Sequence, residues 1–165
     1  MRRVLRRREI VADDWRHLAE SSGAPTRAES LIVPIAELRA NAAEWAARSG
    51  RLGVRIAPAD KVEELAAVLC RVSLIAVEFP SPSEGRGFTQ GRLLRERFGF
   101  TGELRAVGAG VKRDLIFALA RCGFDTFELA AGEDLEAAAR ALDRYTIAYQ
   151  PGAPLASVTR QRFTA

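Results

Sequence analysis

Apolar residues recur along this chain in two alternating patterns, one typical of strands and one typical of helices. Short runs of β-branched and apolar residues predict strands at residues 31–35, 52–57, 74–79, 103–107, 125–129 and 146–149. Between them, apolar residues three and four positions apart predict helices over residues 37–48, 61–72, 90–98, 111–122 and 134–144. A strand followed by a helix about every 25 residues favours a series of βα units around a parallel sheet.

The first thirty residues follow these patterns less clearly. Residues 2–12 hold two short β-branched stretches, which predict a hairpin, and residues 14–18 predict one brief helical turn after it. The small and polar residues 21–30 predict a linker. We therefore interpret the chain as one α/β domain over residues 1–165, divided into an N-terminal β segment (1–20), a linker (21–30), a βα core (31–150) and a tail (151–165).

Two of the predicted helices have a candidate cap. Asp60, with Glu63 three residues later, has the spacing of a capping box before the helix at 61–72. Thr89 is the corresponding candidate before the helix at 90–98. Beyond that second helix, Gly99 is suited to its end, because glycine readily adopts the left-handed conformation of a C-terminal stop.

Four successive predicted strands carry a charged residue on one face and apolar residues on the other. Side chains alternate across a strand, and the charged positions are Arg55, Glu78, Arg105 and Glu128. A parallel sheet with helices on both faces would have strands that are apolar throughout. We therefore expect helices mainly on one face, which right-handed crossovers between sequential strands produce, as in half of a TIM-like barrel. A flavodoxin-like sheet is the alternative.

The charged face has more than one interpretation. Charges of alternating sign on neighbouring strands would form solvated ion pairs, each contributing about 0–1 kcal/mol to stability. Alternatively, this face is a concave binding surface, or it is covered by the N-terminal segment or by another subunit. The last interpretation includes a homo-oligomer.

Composition and charge exclude several functional classes. Five arginines fall within the first eight residues, but no RNA-binding aromatic signature or zinc-finger spacing accompanies them, so we interpret them as a solvated terminus and do not expect nucleic-acid binding. His17 is the only histidine, and Cys70 and Cys122 form no CxxC motif, so no metal site or redox cofactor is predicted. Both cysteines are expected to be buried and unbonded.

The chain is expected to be cytoplasmic and not membrane-bound. Its longest apolar runs are too short to span a bilayer. Glu9, Asp13 and Asp14 follow the arginine-rich start, at a point where a signal peptide would need an apolar core.

In parallel α/β folds, ligands bind at the carboxyl ends of the strands. The longest loop at that edge contains Gly85-Arg86-Gly87 just before a helix, whose free amide groups favour an anion. Arg86 and Arg92 would add guanidinium donors for an oxyanion. This loop is not GxGxxG and no Walker lysine follows, so neither a nucleotide nor a phosphate is specifically indicated, and a simple turn is the competing interpretation.

The nearby charged residues complete the candidate site without identifying a reaction. Glu78 has the chemistry of a general base, but an arginine neighbour would keep it ionised as a structural counter-charge. Arg95 and Arg97 are expected to be surface charges. No catalytic residue is indicated, and the candidate binding residues are Glu78, Glu84, Gly85, Arg86, Gly87, Arg92 and Arg105.

Two segments have a distinctive sequence: EFPSPSEGRGFTQGRLLRERFGFTGELRAVG, residues 78–108, and RCGFDTFEL, residues 121–129. Through these segments, and over about residues 30–150 in all, the chain resembles a bacterial family of unknown function whose members are often labelled as oxidoreductases involved in sulfite reduction. The matching positions are Phe79, Pro80, Glu84, Gly85, Arg86, Gly87, Phe88, Arg92, Leu93, Leu94, Arg95, Glu96, Arg97, Gly102, Glu103, Leu104, Arg105, Arg121, Cys122, Gly123 and Phe124. Relatives usually have an aspartate after GELRAVG, where this chain has Ala109-Gly110, which counts against catalysis at that loop.

The resemblance implies a role in assimilatory sulfite reduction, because genes of the family commonly lie beside that of the reductase. The hypothesis that follows is an accessory protein that binds a partner, such as sulfite reductase or its electron donor. The alternative is a small enzyme or carrier that binds an oxyanion at the carboxyl edge of the sheet. Whether the protein is an enzyme is left open at this point.

Overall fold

The computed structural model describes residues 2–18 and 25–143, whose strands form one curled sheet. The strands are β1 (Arg3–Arg6), β2 (Glu9–Ala12), β3 (Trp15–His17), β4 (Ser30–Pro34), β5 (Leu52–Ile56), β6 (Leu74–Glu78), β7 (Glu103–Val107) and β8 (Thr126–Phe127). The helices are α1 (Ile35–Ala40), α2 (Ala42–Ala46), α3 (Arg86–Glu96), α4 (Ile116–Arg121) and α5 (Leu135–Leu142). Short 3-10 helices lie at Val62–Leu65 and Arg113–Leu115.

The sheet is mixed, which corrects the prediction of a purely parallel one. Its strand order is β2-β1-β8-β7-β6-β5-β4-β3. Strands β3 to β8 are parallel neighbours in sequential order, as expected for half of a TIM-like barrel. A flavodoxin-like sheet would reverse its order part-way. The antiparallel component is the predicted N-terminal hairpin, in which β1 pairs with both β2 and β8.

The two edges of this sheet are brought together by the chain itself. Strands β2 and β3 stand at opposite ends of the strand order, yet only Asp13 and Asp14 connect them. Three residue steps from Ala12 to Trp15 can span at most about 11 Å. The sheet must therefore curl until its edges approach each other, and the structure is a curled half-barrel.

The main hydrophobic core lies between the helices and one face of the sheet. On the strand side, the central residues are Val33, Val54, Val77, Ala106 and Phe127, all at most 1% exposed. The helices contribute the buried side chains Leu38, Trp45, Leu94, Ile116, Leu119, Ala138 and Leu142. This packing confirms that β5, β6, β7 and β8 each have one apolar face that packs against helices.

The opposite face of the sheet contains a second, smaller core. It consists of Trp15, Ile32, Leu74, Ala76 and Val107, which all belong to strands. Trp15 comes from the N-terminal segment and is only 4% exposed. The face that carries the charges is therefore covered in part by the N-terminal segment, one of the interpretations that the sequence left open.

Several predicted helices are shorter than expected. The helix predicted over 37–48 is divided at Asn41, whose backbone is not helical, and it begins earlier, at Ile35. The helix predicted over 111–122 consists of a 3-10 turn followed by α4. Within residues 14–18, predicted as a helical turn, Trp15–His17 instead forms β3.

The clearest error concerns residues 61–72. Only Val62–Leu65 is helical there, as a 3-10 helix, and turns follow it. Asp60 is not a helix cap, because Lys61 is extended and the Asp60 carboxylate accepts from the Ala57 amide at 2.6 Å. The next predicted cap, Thr89, lies inside α3, which begins at Arg86.

Some predictions fall on residues that the structure does not describe. They are the strand at 146–149, the tail at 151–165, the end of the N-terminal segment after residue 18 and the linker as far as residue 24. Of the helices in the described ranges, none is both long enough and apolar enough to cross a membrane.

Candidate functional site

The four predicted charges on the polar face do not form one continuous ladder. In the register of the sheet, Arg105 lies opposite Ala76, and Ala76 lies opposite Arg55. Glu78 is two positions further along β6, opposite Val107. The charges therefore separate into two pairs, in which Arg55 Nη2 lies 2.9 Å from Glu78 Oε1 and Arg105 Nη1 lies 3.6 Å from Glu128 Oε2.

Arg105 is the centre of a buried ionic network. Its side chain is fully buried, and its two Nη atoms donate to the two carboxylate oxygens of Asp13 at 3.0 Å each. Glu103 accepts from Arg105 Nε at 3.0 Å and from Nη2 at 2.8 Å. Asp13 precedes β3 and its side chain is also fully buried. The guanidinium thus ties β7 to the N-terminal segment.

The same network extends to the end of β8 through Glu128. Arg2 Nη1 donates to Glu128 Oε1 at 3.2 Å, and His17 Nε2 lies 3.0 Å from Glu128 Oε2. His17 is 2% exposed, so its ring packs inside the curl of the sheet. Residues that lie in β3 and β7, just before β1 and just after β8 therefore meet around two carboxylates, Asp13 and Glu128.

Burial and ion pairing shift the pKa values of these carboxylates in opposite directions. Burial raises the pKa of Asp13, but the hydrogen bonds and charge of Arg105, with smaller contributions from Trp15 and Arg2, bring the net pKa below 3.8. Burial likewise raises the pKa of Glu128, and the contacts with His17, Arg2 and Arg105 lower it below its ordinary value. Both groups are ionised at neutral pH as structural counter-charges.

The Arg55–Glu78 pair is the more accessible part of the polar face. The two side chains are 24% and 28% exposed, and they stand near the carboxyl ends of neighbouring strands β5 and β6. Glu78 is held in an ion pair there, in agreement with its interpretation as a counter-charge. Its predicted neighbour Arg105 belongs to the separate, buried network.

The carboxylate of Glu84, the residue before Gly85-Arg86-Gly87, already binds at the proposed anion site. Arg86 is the first residue of α3, and its backbone N–H donates to Glu84 Oε1 at 3.0 Å. Its guanidinium donates to the same carboxylate, from Nε to Oε1 at 3.0 Å and from Nη2 to Oε2 at 2.9 Å. These hydrogen bonds lower the pKa of Glu84 to about 2. Glu84 therefore occupies the donors that an external oxyanion would use.

The glycines of this region permit close packing of aromatic rings against α3. A Cβ atom on Gly87 would lie 2.5 Å from the Phe79 ring, and one on Gly91 would lie 2.4 Å from the Phe124 ring. Phe79 and Phe124 also contact each other edge to face, with 5.7 Å between their centroids. Gly85, in contrast, has open space around it. Gly87 is thus required for packing whether or not a ligand binds.

Arg92 does not join the loop at the start of α3. Its Nε atom lies 3.0 Å from both carboxylate oxygens of Glu96, one turn further along the exposed surface of the helix. The structure therefore brings Glu84, Gly85, Arg86 and Gly87 together, and it places Arg92, Glu78 and Arg105 in three separate environments.

Arg95 is buried, which corrects the expectation that it lies at the surface. Its side chain is 1% exposed and donates to the carbonyl oxygens of Gly123 at 2.9 Å, Phe100 at 2.6 Å and Gly102 at 2.8 Å. A fourth bond, of 3.1 Å, reaches Asp125 Oδ2. The spacing could have indicated this, because Arg95 lies four residues after Gly91 on the buried side of α3.

The two cysteines are not bonded, and they differ in exposure. Cys70 is exposed, which corrects the expectation that it is buried, and Cys122 is half-buried. Burial raises the pKa of the Cys122 thiol above its ordinary value. Among the residues that the structure describes, no three histidine, cysteine or carboxylate side chains are grouped as a metal site.

The comparison with known families agrees with the resemblance in the sequence. Residues 53–157 match the model of a bacterial protein family of unknown function, DUF934. The chain belongs to this family. The match includes α3, with its glycines and buried Arg95, and the strands that carry Arg55, Glu78, Arg105 and Glu128. It does not include the N-terminal segment that supplies Asp13, Trp15 and His17. No curated protein matches the chain.

Proposed function

We propose that this protein is an accessory factor of assimilatory sulfite reduction that acts by binding a partner protein, such as sulfite reductase or its electron donor. The link to sulfite reduction comes from the resemblance described in the sequence. A cytoplasmic location belongs to the same proposal.

One structural observation favours binding over catalysis in this proposal. Each charged residue of the candidate site has an internal partner that holds it in place: Arg105 with Asp13, Glu78 with Arg55, and Arg86 with Glu84. General acid–base catalysis needs a group that can change its protonation state near neutral pH. Paired carboxylates such as Asp13 and Glu84, with pKa values below their ordinary range, are poorly suited to that task.

The oxyanion alternative has less support. An anion at the start of α3 would have to displace the Glu84 carboxylate from three donors of Arg86.

The proposal can be tested with purified proteins. The protein is immobilised, and sulfite reductase holoenzyme and its electron donor from the same bacterium are passed over it separately in biolayer interferometry. We expect saturable binding of at least one of them. At limiting concentrations of both, added protein should raise the rate of sulfite-dependent oxidation of the donor, and the protein alone should reduce no sulfite. Absence of binding to both, or sulfite reduction by this protein without the reductase, would overturn the proposal.

A further inference from the structure

Arginines are concentrated at one end of the half-barrel. The chain segments that lead from a helix or turn into β5, β6, β7 and β8 all lie at the amino-terminal edge of the parallel strands. The turn between β1 and β2 lies at the same edge, since the Arg7 amide donates to the Asp125 carbonyl just before β8. We call the arginines of these five segments the arginine rim: Arg7, Arg8, Arg48, Arg51, Arg71, Arg97 and Arg121.

Carboxylates do not balance this charge within the same segments. Over residues 7–8, 47–51, 66–73, 97–102 and 121–125, the single acidic residue is Asp125, which is committed to the buried Arg95. Arg48 donates to the backbone carbonyl oxygens of Thr26 and Glu29. Among the described residues, carboxylates from elsewhere pair with other rim arginines: Asp143 with Arg8, Asp14 with Arg51 and Glu63 with Arg97. All three pairs are exposed, so they are weak and readily exchanged.

Two exposed rim arginines have no carboxylate partner among the described residues. Arg7 and Arg71 are exposed, and neither forms an ion pair with any carboxylate in residues 2–18 and 25–143. An exposed arginine without a partner adds to the local positive potential, which attracts acidic surfaces over about a Debye length, roughly 8–10 Å in physiological salt.

Aromatic rings hold several rim arginines in place. The guanidinium of Arg51 lies 4.8 Å from the centroid of the Trp15 ring, and that of Arg48 lies 5.6 Å from the Trp45 ring. Arg97 stacks at 5.6 Å over Phe98. A side chain that is already restrained loses less entropy on binding. Arginine next to aromatic residues is also the composition in which protein interfaces are enriched.

The extent of the rim indicates a macromolecular ligand. Its arginines precede or flank strands β1, β8, β7, β6 and β5, which are consecutive neighbours in the sheet. Four strand spacings amount to about 19 Å, which is far wider than one oxyanion. Trp15 and Trp45 are 4% and 6% exposed, so they offer no open ring on which the bases of a single-stranded nucleic acid would stack.

We propose that the arginine rim is the docking surface for a protein partner with an acidic surface. This inference rests on the proposed function in one respect, that the protein acts by binding a partner, and it adds the location and the chemistry of that contact. The opposite edge of the sheet has mixed charges, such as Lys112 and Arg113 followed by Glu133 and Asp134.

The test compares two double variants of the full chain. Arg7→Gln/Arg71→Gln removes two exposed rim charges that form no ion pair within residues 2–18 and 25–143. The control, Lys112→Gln/Arg113→Gln, removes two exposed charges at the opposite edge. Binding of purified sulfite reductase and of its electron donor is measured for wild type and both variants at low salt and at about 0.5 M salt. We expect association about three- to tenfold slower for the rim variant at low salt, a smaller difference at high salt, and no change for the control.

A second arm separates this inference from the proposed function. Proteins captured from a nuclease-treated lysate by wild type and by both variants are identified by mass spectrometry, and any protein lost only with the rim variant is purified and remeasured. If a different acidic protein shows this dependence, the rim inference stands and the sulfite-reduction proposal fails. If the reductase or donor binds wild type and rim variant equally, the rim inference fails and the proposed function stands. If no protein depends on the rim, or nuclease abolishes the rim-dependent capture, the inference is overturned.

Discussion

Arg95 and Arg97 are two positions apart on α3 and have opposite surroundings. Arg95 is buried and is hydrogen-bonded to three carbonyl oxygens and to Asp125, whereas the Arg97 side chain is 64% exposed. Replacing Arg95 by methionine would leave these acceptors buried without a donor. We expect Arg95→Met to lower the free energy of unfolding by about 3–5 kcal/mol. Arg97→Met, the matched control, should cost less than about 1 kcal/mol.

Urea unfolding followed by circular dichroism measures both changes. A loss below about 1 kcal/mol for Arg95→Met would show that the hydrogen bonds of Arg95 do not stabilise the packing of α3 against residues 121–125.

Gly87 and Gly85 provide a second contrast between neighbouring residues. Because a Cβ atom on Gly87 would lie 2.5 Å from the Phe79 ring, Gly87→Ala must displace that ring or α3. We expect a loss of about 1–3 kcal/mol in the free energy of unfolding, as is typical of overpacking. Gly85→Ala meets nothing within 4 Å and should change stability by less than about 1 kcal/mol. Equal effects of the two substitutions in thermal and urea unfolding would contradict the packing role of Gly87.

The competition between Glu84 and an external anion can be measured directly. Glu84→Gln removes the negative charge that accepts from the Arg86 guanidinium and backbone N–H, so these donors bind the side chain at position 84 less strongly. Sulfate should therefore raise the melting temperature of this variant more than that of wild type. The additional increase should disappear in Glu84→Gln/Arg86→Ala. Thermal shifts are compared at matched ionic strength, and identical sulfate responses in all three proteins would show that no anion binds there.

At the scale of secondary structure elements, the strands were predicted more accurately than the helices. A strand such as β6 is a short apolar run and is recognisable alone. Residues 61–72 satisfy a helical spacing, but Val62 and Leu65 are three residues apart, which a 3-10 turn satisfies equally well. The helix predicted over 37–48 is interrupted at Asn41, whose backbone is not helical, and the apolar pattern on either side does not show this break.

The ion pair between Asp13 and Arg105 joins the N-terminal segment to β7, and its contribution to stability should decrease at low pH. The folded-state pKa of Asp13 lies below its ordinary value of 3.8, so its stabilising contribution is present above pH 3.8 and is lost as the pH falls through the folded-state pKa. Asp13→Asn leaves Arg105 buried without its bidentate partner and should cost about 3–5 kcal/mol at pH 7.

Below pH 3.8 the same substitution should cost progressively less, because wild type loses the Asp13 charge too. Urea unfolding of both proteins between pH 7 and pH 3 measures this difference, with Asp14→Asn as the exposed control. A penalty for Asp13→Asn that is independent of pH would contradict the assignment.

At the scale of the whole molecule, the sequence predicts the half-barrel but not how its polar face is filled. The charged positions in β5 to β8 are visible as an alternating pattern, and they predict helices on the other face. Their partners are not visible, because Asp13 lies 92 residues before Arg105 and no local pattern connects them. The sequence indicated that Gly85-Arg86-Gly87 lies at the start of a helix, but it could not show that the Glu84 side chain would pair with Arg86.

This arrangement predicts that the half-barrel does not fold cooperatively without its N-terminal strands. A chain without residues 1–18 lacks β1, β2 and β3, so Arg105 would lose Asp13, and Leu74 and Val107 would lose the cover of Trp15. An uncovered arginine and exposed apolar strands favour unfolding or association. We expect a chain without residues 1–18 to lose its cooperative unfolding transition, whereas Trp15→Phe, which retains the hairpin and an aromatic ring, keeps one at a lower midpoint. A truncated chain that unfolds cooperatively with the midpoint of the full protein would show that the N-terminal segment is an accessory to the sheet and not a part of its core.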